Sequence, residues 1–224
     1  HDYLSIVPNE KLPYLRSIFN IQLLDVTSWE HLFSNRQLLS LTTLVALVRK
    51  VGEKLSSEHN PDFSTAVQTL LALMVDKQAD LGNSLCPWEP IAECPRHLFG
   101  RQAIGIVWDF AEGVVTSDSS GSWSVQVERT AQVIEGVGSN WGIGITELAS
   151  ATNHPLPDDS VAAFITDPPY YDAVPYADLS DFFYVWLKRC ISPLYPRLFL
   201  DDLTPKREEA VQLAERNPMY AYKT

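Results

Sequence analysis

The residues of this sequence that are best suited to chemistry are four consecutive ones, Asp167, Pro168, Pro169 and Tyr170. They directly follow the near-continuous apolar run VAAFIT at residues 161–166, which is typical of a strand buried on both faces. The carboxyl ends of such strands are where open α/β sheets bind ligands. The sequence therefore predicts a ligand site beginning at Asp167.

Each residue type in this motif has a physical role at the end of a strand. Pro168 disfavours helical backbone at Asp167, and both prolines fix φ and have no N–H group to donate. The motif thus presents two hydrogen-bond acceptors, the Asp167 carboxylate and the Pro168 carbonyl, beside the ring of Tyr170. This combination suits an exocyclic amino group on a planar base.

The chemistry that follows is methyl transfer to the amino nitrogen. Two acceptors on its N–H groups favour a pyramidal nitrogen, whose lone pair can attack the methyl group of a sulfonium donor in line. Such catalysis is mostly positioning and electrostatics, while the ring of Tyr170 would stack on an extruded base. The alternative is structural, because Asp-Pro-Pro also makes a rigid turn after a strand.

Apolar periodicity predicts the elements that must position this motif. The expected helices cover residues 34–56 (with Ser34 as N-cap), 61–82, 99–112, 178–190 and 205–216, and an amphipathic segment covers residues 123–134. Short strands are expected at residues 143–151 and 161–166. The predicted organisation is a helical region over residues 1–135, followed by the start of an α/β unit over residues 136–224.

Side chains after the motif are candidates for contacts with the base. They are Tyr171, Asp172, Tyr176 and Tyr184, and Asp178 and Asp181 could also line the pocket. Asp178 is more simply interpreted as an N-cap of the following helix. Most of the aromatic run Phe182, Phe183, Tyr184 and Trp186 is expected to lie in the core, with Tyr184 the best pocket candidate.

Composition limits the function further. Hydrophobic residues are 46% and charged residues 20%, as in ordinary soluble globular proteins, and no apolar run has the length of a membrane span. The net charge of −11 means that these residues cannot be the main grip on nucleic acid, which needs a basic face. Because the sequence begins with His1, we interpret it as part of a longer protein.

The three cysteines, Cys86, Cys94 and Cys190, are too few and too scattered for a disulfide framework. Cys86 and Cys94 have only His97 nearby and lack the spacing of a zinc site, so we expect structural use and no metal. A reducing, cytoplasmic location fits this cysteine content best.

The motif belongs to a longer stretch that resembles a known family. Residues 166–189, TDPPYYDAVPYADLSDFFYVWLKR, resemble the large adenine-specific DNA methylases that contain a zinc ribbon. Further similar segments are LFSNRQLL at residues 32–39, NSLCPW at 83–88, FGRQ at 99–102 and VWDFAE at 107–112. The resemblance therefore covers most of the chain.

The resemblance implies a partial Rossmann-like sheet, S-adenosylmethionine as cofactor and DNA as partner, contacted largely through other parts of the protein. It places Asp167, Pro168 and Tyr170 in the catalytic motif. Ser150, Thr152 and Asn153 follow the first expected strand, where related folds contact the cofactor's adenine, although a plain turn explains them equally well.

Two features of the family are missing from this sequence. The zinc-ribbon cysteines are absent, and so is the Gly-rich cofactor loop, which lies further toward the N-terminus in the family. The glycines at 136, 138, 142 and 144 precede a strand instead of joining a strand to a helix. We therefore expect these 224 residues alone to bind S-adenosylmethionine weakly or not at all.

Two other functions remain open at this point. Similar Asp-Pro-Pro-Tyr motifs serve amino groups of RNA bases, so the substrate could be RNA. Alternatively, residues 1–135 form a helical interaction domain and the segment catalyses nothing.

Overall fold

The computed structural model describes residues 4–13, 21–137, 142, 144–150, 152–171, 174–206 and 209–211. Within them lie four α-helices: α1 (Asn35–Glu58), α2 (Pro61–Leu81), α3 (Trp123–Val137) and α4 (Tyr176–Ile191). Strands β1 (Trp88–Glu89) and β2 (Cys94–Pro95) form a small antiparallel sheet, and short 3-10 helices cover Ile21–Leu24, Trp29–Leu32 and Leu98–Gly100. No helix in this part of the chain is long and apolar enough to cross a bilayer.

Helix α1 begins where the sequence predicts, because Ser34 forms a capping box with Gln37. The Ser34 hydroxyl accepts from the backbone N–H of Gln37 at 3.3 Å, and the Gln37 side chain accepts from the backbone N–H of Ser34 at 2.8 Å. Two otherwise unsatisfied donors are thus paired at the helix start. The helix predicted at residues 34–56 is confirmed.

Helix α2 follows after a two-residue connection, so α1 and α2 form a helical hairpin. Asn60 caps α2 by accepting from the N–H of Asp62 at 2.7 Å, and Pro61 occupies the first turn, where its missing N–H costs nothing. The helices approach closely at Gly52, because a Cβ atom there would lie 1.9 Å from the side-chain oxygen of Gln68. The helix predicted at residues 61–82 is confirmed.

Helix α4 completes the core by packing on both α1 and α2. Its buried aromatic residues Phe182 and Trp186 contact Phe33, whose ring lies 5.8 Å and 5.3 Å from theirs between centroids. The helix predicted at residues 178–190 is confirmed by α4, and the amphipathic segment at residues 123–134 is the helix α3. Helix α4 belongs to the second predicted region, yet it shares one core with the helices of the first.

A buried ion pair attaches the N-terminal segment to α4. The Arg189 guanidinium donates to both carboxylate oxygens of Glu10, at 2.8 Å and 2.9 Å, and to the Val7 carbonyl at 2.7 Å. Arg189 is fully buried, so its charge needs these acceptors to offset desolvation.

The helix predicted at residues 99–112 is wrong. Only the 3-10 helix Leu98–Gly100 forms there, and the rest of the segment has no regular structure. Its backbone bonds to distant residues instead of to its own previous turn; the Ala111 N–H, for example, donates to the Cys86 carbonyl at 2.8 Å. Of the helix predicted at residues 205–216, residues 205, 206 and 209–211 are not helical, and the remainder lie outside the described residues.

The two strands predicted at residues 143–151 and 161–166 are also wrong where the structure describes them. Neither segment contains a strand in its described residues, and Phe164 and Ile165 of the apolar run are 66% and 93% exposed. A strand buried on both faces needs neighbours to pair with, and the described residues provide no such neighbour for this segment. The helix-rich character is therefore confirmed, whereas the Rossmann-like sheet is not found in the described residues.

Candidate functional site

The segment that contains Asp167 to Tyr170 lies on the surface. It has no regular secondary structure, its residues are exposed, and Tyr170 retains 60% of its accessible surface. Among the described residues, none donates a hydrogen bond to the Asp167 carboxylate. The sequence placed Asp167 at the end of a buried strand; in the structure it belongs to an exposed segment.

The chain after the motif is firmly anchored. Val174 is buried and accepts a hydrogen bond from the backbone N–H of Tyr176 at 3.0 Å, and Pro175 is the N-cap of α4. Tyr171 and Tyr176 remain exposed, whereas Asp172 lies outside the described residues. The motif thus lies a few residues before a helix that is fixed in the core.

The first turns of α4 contain a buried acidic pair, Asp178 and Asp181. The Lys206 ammonium lies 2.7 Å from a carboxylate oxygen of Asp181 and 3.9 Å from one of Asp178. The Thr204 hydroxyl donates to Asp181 at 2.6 Å, and the Thr204 N–H does so at 2.8 Å. This network holds the segment around Thr204 against α4.

Burial raises the pKa of Asp181, while the hydrogen bonds from Lys206 and Thr204 oppose this rise. The prediction that Asp178 caps α4 is wrong, because Pro175 takes that position and Asp178 lies inside the first turn. Sequence analysis missed Lys206 and Thr204, which follow Asp181 by more than 20 residues in the chain. No local pattern connects residues at that separation.

Tyr184 is not available as a platform for a base. Its ring packs against that of Phe199 at 5.2 Å between centroids, and its hydroxyl donates to the Asp201 carbonyl at 2.8 Å. Burial, reinforced by nearby carboxylates, raises its pKa to about 12. The sequence predicted Tyr184 as a pocket residue; in the structure its side chain packs against the loop after α4.

Ser150, Thr152 and Asn153 form a tight exposed turn. The hydroxyls of Ser150 and Thr152 lie 2.9 Å apart, and the Asn153 N–H donates to the Ser150 carbonyl at 3.0 Å. The turn approaches the apolar run, since the His154 ring lies 5.6 Å from that of Phe164. These polar groups bond to each other, as in an ordinary turn.

No described protein atom lies close to the nearby glycines. A Cβ atom added at Gly136, Gly142 or Gly144 would meet nothing within 4 Å among the described residues. Close packing within this part of the chain therefore does not require glycine at these positions.

The cysteines have structural surroundings. Cys86 is buried and its thiol lies 3.2 Å from the Asp80 carbonyl; burial raises its pKa to about 12. His97 bonds to the Asp80 carboxylate at 2.6 Å. In the part of the chain that the structure describes, no three His, Cys, Asp or Glu side chains are grouped to hold a metal ion.

Comparison with protein-family models, with curated proteins and with solved structures finds no significant match to this chain. A function for this chain is therefore inferred from the residues themselves and from the sequence resemblance of the motif region.

Proposed function

We propose that this chain carries the catalytic motif of an S-adenosylmethionine-dependent enzyme that methylates the exocyclic amino group of adenine in DNA. The observation that carries the proposal is the exposed Asp-Pro-Pro-Tyr segment, whose Asp167 carboxylate accepts no hydrogen bond from the described residues. An exposed carboxylate followed by two prolines, which fix the backbone φ angles, is available to accept from an amine.

In this proposal each motif residue has a role in holding the base. Asp167 and the Pro168 carbonyl accept from the two N–H groups of the amine, and Pro169 keeps the backbone rigid. Tyr170 is exposed, so its ring is available to stack on the base. Tyr171 and Tyr176, also exposed, are further contacts for the base or its sugar.

The methyl group comes from S-adenosylmethionine, whose sulfonium makes it electrophilic. Because the sequence lacks the Gly-rich cofactor loop of the family that it resembles, we assign the binding of this cofactor to other parts of the protein. The same parts would supply the basic surface for DNA, since this chain has a net charge of −11.

The exposed apolar run at residues 161–166 supports the proposal that other parts of the protein complete the catalytic site. Phe164 and Ile165 present large apolar side chains to solvent immediately before the motif, and runs of this kind are stable when buried in a sheet. We propose that residues 161–166 add as a strand to a sheet formed by the rest of the enzyme. Asp167 would then lie at the carboxyl end of that strand.

The test is transfer of a radiolabelled methyl group from S-adenosylmethionine by the full-length protein. Duplex DNA and single-stranded RNA of the same sequence are offered in parallel, and the modified nucleosides are separated by chromatography. We expect N6-methyladenine in DNA. Label in RNA alone would replace DNA by RNA as the substrate, and no transfer to either would contradict the proposal.

A further inference from the structure

A cavity of about 400 Å³ lies away from the motif region, between α2, the β1–β2 hairpin and α3. Its wall residues all fall between positions 77 and 129, so none of them belongs to the Asp-Pro-Pro-Tyr segment. The volume is within the range of small-molecule sites. Nothing in the proposed methyl transfer uses this cavity.

The wall of the cavity is basic although the chain is acidic. Lys77 from α2 and Arg129 from α3 both line it, and neither has an ion-pair partner among the residues that the structure describes. A third cation, Arg96, pairs with Glu89, the one acidic residue of the wall. Lys77 and Arg129 thus contribute two cationic side chains, without ion-pair partners among the described residues, to the wall of one cavity in a protein of net charge −11.

The rest of the wall is apolar or neutral. Leu81, Pro95 and Val125 contribute aliphatic surface. Gln126, which is 2% exposed, also lines the cavity; its amide N–H₂ donates to Gln78 at 2.8 Å, while its carbonyl oxygen accepts no hydrogen bond from the described residues. A ligand that fits must combine an anionic group with an apolar or planar body.

We propose that this cavity binds a small phosphorylated organic molecule of about the size of a nucleoside monophosphate. A phosphate monoester carries a charge of roughly −1.5 to −2 at pH 7, which matches the two unpaired cations, Lys77 and Arg129. Its organic part would lie against the aliphatic wall near Leu81 and Val125. The concave shape favours a small molecule over the backbone of a duplex, which needs an extended basic face.

The first test is calorimetric titration of the chain with AMP, adenosine and inorganic phosphate. We expect saturable binding of AMP, weaker binding of phosphate and none of adenosine. Lys77→Ala and Arg129→Ala should each weaken AMP binding by about tenfold or more, because each removes a charged hydrogen-bond donor. Lys54→Ala and Arg101→Ala are the matched controls, since both residues are exposed and outside the cavity.

Cys94 provides a second measurement that does not depend on the heat of binding. It lines the cavity and is partly exposed, whereas Cys86 and Cys190, the other two cysteines of the sequence, are buried. Alkylation by iodoacetamide should therefore report on Cys94 in the folded protein. We expect AMP to slow this alkylation in the wild type and in Lys54→Ala, but not in Lys77→Ala.

Several results would overturn the proposal. They are no AMP binding at about 1 mM, equal binding of adenosine and AMP, and equal weakening by the control variants. Binding of a DNA duplex that depends on Lys77, without binding of AMP, would assign the basic wall to nucleic acid instead. None of these results depends on methyl transfer, so the cavity and the proposed function can fail separately.

Discussion

At the scale of single residues, Asp76 is a buried acidic side chain. It lies on the inner face of α2, is 7% exposed, and one of its carboxylate oxygens accepts no hydrogen bond from the described residues. Desolvation raises its pKa well above the ordinary value. Asp76 also helps to raise the pKa of Cys190 to about 12, after the larger effect of burial.

We predict that Asp76→Asn makes the free energy of unfolding less dependent on pH. The folded protein keeps the Asp76 proton to higher pH than the unfolded chain, whose aspartates titrate near about 3.9. Between the two pKa values the native state binds more protons, so stability falls as pH rises, by at most about 1.4 kcal/mol per pH unit. Asparagine does not titrate in this pH range, so Asp76→Asn abolishes this decrease in stability with rising pH.

Urea unfolding between pH 4 and pH 8 measures the effect, with Asp118→Asn at an exposed position as control. We expect Asp76→Asn to gain stability relative to the wild type as pH increases, and the control to follow the wild type. A difference between Asp76→Asn and the wild type that stays constant over this pH range would show that Asp76 does not titrate with a raised pKa.

Tyr170 allows the ring and the hydroxyl to be tested separately. If its face holds the base, Tyr170→Phe retains stacking, and kcat/KM for methylation should stay within about tenfold. Tyr170→Ala removes the ring and should cost roughly 1–3 kcal/mol of stacking. Both changes are at an exposed position, so folding should be unaffected. Equal losses for Phe and Ala would argue against stacking.

At the scale of elements, the sequence predicts best where the signals are local. Helix α1 has its capping residues Ser34 and Gln37 within one turn, and α2 has Asn60 and Pro61 at its start. The apolar faces of both helices follow the helical period, so their ends and inner faces could be predicted from the sequence.

The failures at residues 99–112 and 161–166 arise from contacts that are distant in sequence. Ala111 bonds to Cys86, and Glu112 pairs with Arg36, 76 residues away. An apolar period such as Ile104, Val107 and Trp108 does not reveal such partners; Ile104 is buried, but Trp108 is fully exposed. A strand likewise depends on neighbours that its own residues do not specify.

The cap of α1 can be tested directly. We predict that Ser34→Ala lowers the free energy of unfolding by about 1 kcal/mol, because the N–H of Gln37 loses its acceptor. Ser57→Ala near the other end of α1 is the matched control, since its hydroxyl bonds only to a carbonyl within the helix. Urea denaturation measures both. A similar cost for the two changes would contradict the capping role.

At the scale of the whole molecule, α1, α2 and α4 form one core against which α3 packs through Trp123, while the motif and the apolar run before it lie outside that core. The motif of the candidate site could therefore be predicted from the sequence, but its exposed position outside the core could not. From Val174 onward, the backbone after the motif is held in place by α4. The position of α4 depends in turn on the ion pair between Arg189 and Glu10, which are 179 residues apart in the sequence. Such a contact has no local signature.

The absence of the family's Gly-rich cofactor loop leads to a prediction for the 224-residue chain. Calorimetric titration with S-adenosylmethionine should show weak binding or none, because the backbone of such a loop is what approaches the cofactor closely. The basic cavity should not replace the missing pocket, since the cofactor carries a sulfonium cation. Micromolar affinity would show that these residues do form a cofactor site.

If Asp167 holds the amino group that is methylated, steady-state methylation of duplex DNA by the full-length protein should depend on its carboxylate. Asp167→Ala should lower kcat by about a hundredfold or more, because the lost interaction strengthens in the transition state. Asp167→Asn, which keeps one acceptor without the charge, should be intermediate, and Asp158→Ala at another exposed position should match the wild type. Near wild-type turnover by Asp167→Ala would reduce the Asp-Pro-Pro-Tyr segment to a rigid turn and contradict the proposed function.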